Sequence, residues 1–421
     1  MNKKHTKRGN QLKSSWLSET FPFINKRSFL ENRPLINPCL FFCLIITITA
    51  PLYAASDDAT YSLPSMSGLN LKYSDDVWLF VGGGTKLQVA SRNSDVDESS
   101  EFNIASFRFY VSGQIHKYLK FNINTEKYEG DSMMTIDALL RFEFNPAVNL
   151  WVGRTLVPSD RPGMNGPYTG MSWNQYRQPL FSADYDGPAG QLGRSEGAVL
   201  WGMKNKFHYL LGVFEGLEDD NGNESDHLLF AGRLAYNFLN VESNPGGYYT
   251  SATYYGNQGN ILTAAVTLQS QSDGTGSRAE SGDFNAYAFD IFSERVLSNN
   301  GVFNFEAGYK EIDVDFTPIS PPSDGLSECF CLFDGESFYA TAGYIFPKPV
   351  GPGKFQPYIR YTENQPSDAA QSDATEWGLN YIILGNKMSI NLNFVSGDAN
   401  ASGYAGNDTD TLTLGLMLQF Y

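Results

Sequence analysis

The sequence is poor in charge and in reactive side chains. Asp, Glu, Lys and Arg make up 18% of its 421 residues, and it has 4 Cys and 4 His. Cys39 and Cys43 fall in an N-terminal leader, which leaves Cys329 and Cys331 for the rest of the chain. There is no HExxH, no phosphate-binding P-loop, no GxGxxG following a strand and no CxxCH. These gaps argue against a zinc hydrolase, a nucleotide enzyme and a c-type haem protein. His116, His208 and His227 form no Ser/His/Asp set that spacing can support. The chain is expected to be no enzyme, with no catalytic residues, cofactor or metal site. Basic residues are also few after the leader. Residues 1–38 carry a net +6, so the formal charge of -16 leaves -22 for the remainder. So acidic a body speaks against nucleic acid as a partner.

The uncharged apolar run Cys39–Tyr53 is too short, and too close to the basic leader, to be a spanning helix. Basic residues, an apolar run and Leu52-Tyr53-Ala54 before Ala55 read as an export signal cleaved after Ala54. Residues 1–54 are therefore taken as signal with a long basic leader, and 55–76 as a polar, loosely ordered periplasmic lead-in. Residues 77–421 form the folded body.

What that body does have is alternation. In the last eleven residues, Leu412, Leu414, Leu416, Leu418 and Phe420 share one face, and Thr411, Thr413, Gly415, Met417 and Gln419 share the other. A period of two means a strand with one apolar face. Phe107, Phe109, Val111 and Ile115 against Arg108, Tyr110, Ser112 and Gln114 repeat the plan, as do many later segments. No helical pattern is available to cover so many apolar faces. A closed barrel in lipid pairs every backbone group and gives each apolar face a partner. Sixteen segments can be counted, with short turns at one end and long polar loops at the other. The expected fold is all-β: a transmembrane antiparallel β-barrel of about 16 strands, wide enough for an aqueous lumen. Ser159–Glu196 has no period but is rich in Pro, Gly and aromatics, so it reads as a long loop folded into the lumen. Asn240–Asn260 is long yet falls at the short-turn end, and is read as a loop.

Phe107-Arg108-Phe109-Tyr110-Val111-Ser112-Gly113, Val152-Gly153-Arg154 ahead of Pro158, Gln356-Pro357-Tyr358-Ile359-Arg360-Tyr361 and Gly378-Leu379-Asn380-Tyr381 resemble the phosphate-selective porin O/P family in order and spacing. The resemblance implies an outer-membrane porin of sixteen strands, commonly a homotrimer in outer-membrane lipid. It implies inward basic residues that guide small ionic solutes, anions such as phosphate. Branches of the family lie beside oxyanion reduction, which extends the expectation to selenite- or tellurite-like solutes. A different class is a barrel that sheathes a partner in an electron-transfer or oxyanion-processing complex.

Alternation turns Arg108, Lys120, Arg141, Arg233, Lys310 and Arg360 inward, with Arg154 and Arg177 added beside the long loop. Fixed charge along a pore sets ion selectivity, so these eight are the candidate selectivity residues. The competing reading is that each pairs with an acid such as Asp137, Glu143 or Glu306 to brace the wall. Cys329-Phe330-Cys331 lies in a long loop and reads as a local disulfide in an oxidising compartment. Thiolates that bind a soft metal or oxyanion, or a cross-link to a partner, are the alternatives.

Overall fold

The computed structural model describes residues 66–421 apart from 95–97, 128–132, 180–192, 217–226, 243–246 and 324–328. The export signal and most of the lead-in lie outside the described residues. The described chain is all strand and loop, with a single 3-10 turn at Gly385–Lys387. The strands are β1 (Leu69–Lys72), β2 (Trp78–Ser94), β3 (Glu98–His116), β4 (Leu119–Lys127), β5 (Met134–Asn145), β6 (Val148–Leu156), β7 (Arg194–Lys204), β8 (Phe207–Phe214) and β9 (Leu229–Asn237). After them come β10 (Ile261–Gly276), β11 (Ser281–Val296), β12 (Val302–Val314), β13 (Gly335–Ile345), β14 (Lys354–Pro366), β15 (Ser372–Ile382), β16 (Met388–Gly397) and β17 (Thr409–Phe420).

From β2 to β17 each strand pairs antiparallel with the next, and β17 returns to β2 from Thr409↔Ser94 to Phe420↔Gly83. These sixteen strands close the sheet and leave no unpaired edge. β1 was not expected within the polar lead-in. It pairs with the foot of β2, from Leu69↔Val81 to Lys72↔Trp78, so it continues the track of β17 beyond the C-terminus.

The two faces of the wall differ as the alternation requires. Phe289 on β11 is 49% exposed and Leu268 on β10 is 64% exposed, on the outer face. Their chain neighbours Asp290 and Thr267 are 1% exposed, on the inner face. Apolar side chains ring the outside on nearly every strand, far beyond the exposed patch of a soluble monomer.

Two loop assignments change. The polar stretch Ser270–Phe284, one of the long loops counted from the sequence, is mostly the extended β10–β11 hairpin, which pairs as far as Gly276↔Ser281. That part of the hairpin is polar on both faces, so no period marks it, yet backbone pairing continues. The second change is inside the barrel. Residues from both long connections enter the lumen and build an apolar core there, including Trp151, Met164, Tyr176, Val199, Trp201 and Tyr248.

Candidate functional site: a lumen divided by two loops

The first loop, residues 157–193, leaves the end of β6 at the long-loop mouth and is described as far as Pro179. Its aromatics seat against inner-wall glycines. A Cβ at Gly84 would lie 2.9 Å from the ring of Tyr168, and one at Gly415 would lie within 2.5 Å of the Trp173 indole. The inward glycines of β2 and β17 are therefore the floor on which the loop lies. Lys86 and Glu376 hold the Trp173 backbone from opposite sides. Lys86 Nζ donates to the Trp173 carbonyl (2.5 Å) and lies 4.1 Å from its ring; Trp173 N donates to Glu376 Oε1 (3.4 Å). Trp173 Nε1 also donates to Gln88 Oε1 (2.6 Å).

The second loop, residues 238–260, joins β9 to β10 at the opposite mouth. Sequence placed it among the turns; the structure folds it up into the lumen, where it meets the first loop. Thr250 N donates to Met164 O and Ala252 N to Thr169 O, both at 3.0 Å. Tyr248 stacks on Trp151 with centroids 4.6 Å apart, and Trp201 meets Trp151 edge-on at 5.3 Å. Glu294 on β11 is 0% exposed and takes donors from Thr253 Oγ1, Tyr254 N, Gly256 N and Asn304 Nδ2, between 2.6 and 3.1 Å. A buried carboxylate satisfied by four donors fixes this loop to the wall.

Arg161 ties the two loops together. It is 1% exposed, contacts Glu242 Oε1 at 2.6 Å, donates to Ser251 O at 2.9 Å, and lies 3.6 Å from Asp290. Burial pushes the Glu242 carboxyl up, but the Arg161 charge and hydrogen bonds from Arg161, Thr263 and Tyr254 outweigh it and hold it below its usual value.

The eight candidate selectivity residues fall into four groups. Arg108, Arg233, Lys310 and Arg360 do face inward, and each is bound to an acid. Arg108 pairs with Glu126 and Lys310 with Asp160 (2.7 Å). Arg233 grips Asp290 through both terminal nitrogens, and Arg360 contacts Glu306 at 3.4 Å. They also hold the first loop: Arg233 donates to Ser159 O, Lys310 to Pro179 O and Arg360 to Gln175 O. Lys120 and Arg141 converge on Glu143, at 2.6 and 2.8 Å, beside Trp151. Arg177 is half-buried on the first loop, where its carbonyl accepts from Asn364.

Arg154 is a correction. Its register partners are Ala138 and Glu196, and it shares the face of Leu140, Val152 and Leu200, all at least 40% exposed. That is the outside of the barrel, where Arg154 pairs with Glu196 at 3.0 Å. It does not line the pore.

Among the described residues the buried cations are Lys86, Arg108, Arg161, Arg194, Arg233, Lys310 and Arg360. The buried acids are Glu126, Asp137, Asp160, Asp290, Glu294, Glu306 and Glu376, the same number. These fully buried groups balance in formal charge, and the cations among them are bound to carboxylates or to a loop carbonyl. Sequence reasoning missed Lys86, Arg161 and Arg194. Lys86 alternates inward with Gln88 and was legible on β2; Arg161 sits in a loop without period; Arg194 lies in a stretch assigned to loop but belongs to β7, where it pairs with Asp137 at 2.7 Å. Cys329 and Cys331 are joined in a disulfide.

A cavity of about 260 Å³ lies between the β2–β3 wall and the first loop, lined in part by Lys86, Gln88, Arg92, Asn103, Ser172 and Trp173. No known family's sequence model matches the chain, and no curated protein matches it. Similar solved structures are outer-membrane channels. OmpF of Salmonella typhi aligns with TM-score 0.54 at 14% identity, over 84% of this chain and 100% of that one. An anion-selective porin from Comamonas acidovorans gives 0.51 at 14%, over 81% and 99%. The outer membrane channel DcaP of Acinetobacter baumannii gives 0.51 at 10%, over 84% and 100%. At such identities the likeness is one of fold. The chain is a closed sixteen-stranded antiparallel β-barrel with the fold of outer-membrane porins.

Proposed function

We propose that the protein is exported by residues 1–54 and resides in the bacterial outer membrane as a passive diffusion channel for small polar and charged solutes. The observation that carries this is the apolar outer belt on a closed barrel whose inner face is polar and still holds a cavity. Apolar side chains meet acyl tails, the backbone is paired throughout, and solute travels inside. The two loops narrow the lumen, so size exclusion acts first.

Charge selectivity enters in reduced form. The resemblance implies anions, with phosphate-, selenite- or tellurite-like species among them. Apart from Arg177, the basic residues it points to are engaged with carboxylates, and the cations bordering the cavity beside the first loop are Lys86 and Arg92. Of these, Arg92 contacts Glu101 at 3.1 Å. A mild anion preference is the expected result, without specificity for one oxyanion. Assembly as a homotrimer belongs to the same reading. The test is single-channel recording in a planar bilayer with a salt gradient. The reading requires stable ohmic steps and a reversal potential close to that of a weakly selective pore. A purified, folded barrel that passes no ions would overturn it.

A further inference from the structure

We infer that the cavity between β2–β3 and the first loop is a binding compartment for an uncharged polyhydroxylated ring, a saccharide. The inference rests on the channel reading and deepens it by naming a solute class. Three observations lead there.

The first is charge. Lys86 spends one N–H on the Trp173 carbonyl and presses against its indole, Glu376 receives the N–H of the same residue, and Arg92 faces Glu101. The charged residues that line the compartment are Lys86 and Arg92, and each is already engaged, so neither stands free to hold an ion.

The second is the pattern of open polar groups. Ser172 is 6% exposed, and its Oγ has no hydrogen-bond partner. Asn103 Oδ1 is likewise buried without a donor. Gln88 uses its oxygen on Trp173 Nε1, and Asn174 uses its oxygen on Tyr176 N, so both keep their amide N–H groups. Donors, an acceptor and a hydroxyl thus stand together around one cavity. A hydroxyl group donates and accepts at once and can satisfy both kinds. A fully ionised oxyanion only accepts, and would leave Asn103 Oδ1 buried and unpaired, a costly outcome.

The third is shape. About 260 Å³ is room for many waters, or for a sugar ring with its hydroxyls. The Trp173 indole borders that space, held at its edge by Gln88 and seated on Gly415. A fixed aromatic side chain beside amides and hydroxyls supplies apolar contact for the C–H groups of a sugar ring with polar groups at its rim.

The experiment is block of ion current through single channels of the full-length mature barrel by glucose and maltose, with gluconate and inorganic phosphate as the charged probes. The sugars should reduce the current in a saturable way. In the Asn103→Ala/Ser172→Ala double variant the half-blocking concentration should rise about tenfold, the effect of losing one to two net hydrogen bonds. Only inserted, conducting channels are read, so misfolded protein does not contribute. Conducting channels that ignore both sugars would overturn the saccharide site and leave the channel reading standing. Block by phosphate or gluconate but not by glucose would also overturn it, as an anion site. If the folded barrel passes no current, the channel reading fails, and calorimetric titration of the detergent-solubilised barrel with maltose decides the binding site by itself.

Discussion

Replacing Arg161 by Met should unfasten the two lumen loops from each other without opening the wall. Arg161 is buried at their meeting point, where it serves Glu242, Ser251 O and Asp290. Asp290 keeps Arg233 after the change, gripped through both terminal nitrogens. Glu242 keeps only neutral donors, such as Tyr254 Oη at 2.8 Å, and becomes a buried carboxylate without its cation. Removing one partner of a buried pair costs roughly 3–5 kcal/mol. At 1.4 kcal/mol per decade, even the lower figure is about a hundredfold in the equilibrium for local opening. The amides of Thr250 and Ala252 report on that opening, because they bond across the seam to Met164 O and Thr169 O. Hydrogen-exchange mass spectrometry on the folded barrel in micelles should show the peptide around residues 248–256 exchanging about a hundredfold faster, with β10–β17 unchanged. Adding Glu242→Gln removes the stranded charge and should recover about tenfold or more, a coupling within the range for contacting residues. Exchange at the wild-type rate in the single variant, or a double variant equal to the sum of the singles, would refute the view that this ion pair fastens the loops.

The Glu242 carboxyl is held below its usual 4.5, so its pairing stabilises the seam above the ordinary carboxylate range and is lost as pH falls through the lower folded value. Protection of Thr250 and Ala252, corrected for intrinsic rates, should hold steady at neutral pH and fall only in acid below 4.5; Glu242→Gln should abolish that step. Gly415→Ala would place a methyl within 2.5 Å of the Trp173 ring. Such overpacking costs roughly 1–3 kcal/mol, seen as a lower unfolding temperature on heat-modified gels together with an altered channel conductance. Arg360→Gln strands Glu306 and should move the reversal potential toward cations, and adding Glu306→Gln should bring it back; a shift that the second change leaves in place would mean Arg360 acts as a free pore charge. With Cys329 and Cys331 joined, the mature chain should label with no thiol reagent until reduced, and then at two sites.

The sequence by itself determined the wall. Alternation is local: whether Phe107 and Phe109 point away from Arg108 follows from the pleat, and lipid outside with water inside imposes it on every strand. Hence sixteen strands, their order, and the end at which each turn lies could be read before any coordinates. β1 escaped because its few residues lie among polar neighbours. The upper β10–β11 hairpin escaped because neither of its faces is apolar. The eight basic residues show where local reasoning stops. Period two could say that Arg233 points inward; it could not say that Asp290, 57 residues later, takes up its charge. Arg154, read as inward beside the long loop, has a register that puts it outside with Glu196. Only the tertiary structure decided that residues 238–260 rise into the lumen, because a loop without a period gains its conformation from partners far along the chain. Here those partners are Glu294, which collects donors from Thr253, Tyr254 and Gly256, and the guanidinium of Arg161. A strand carries its instruction in its own side chains, whereas a loop that plugs a barrel has its conformation specified by the cavity that receives it.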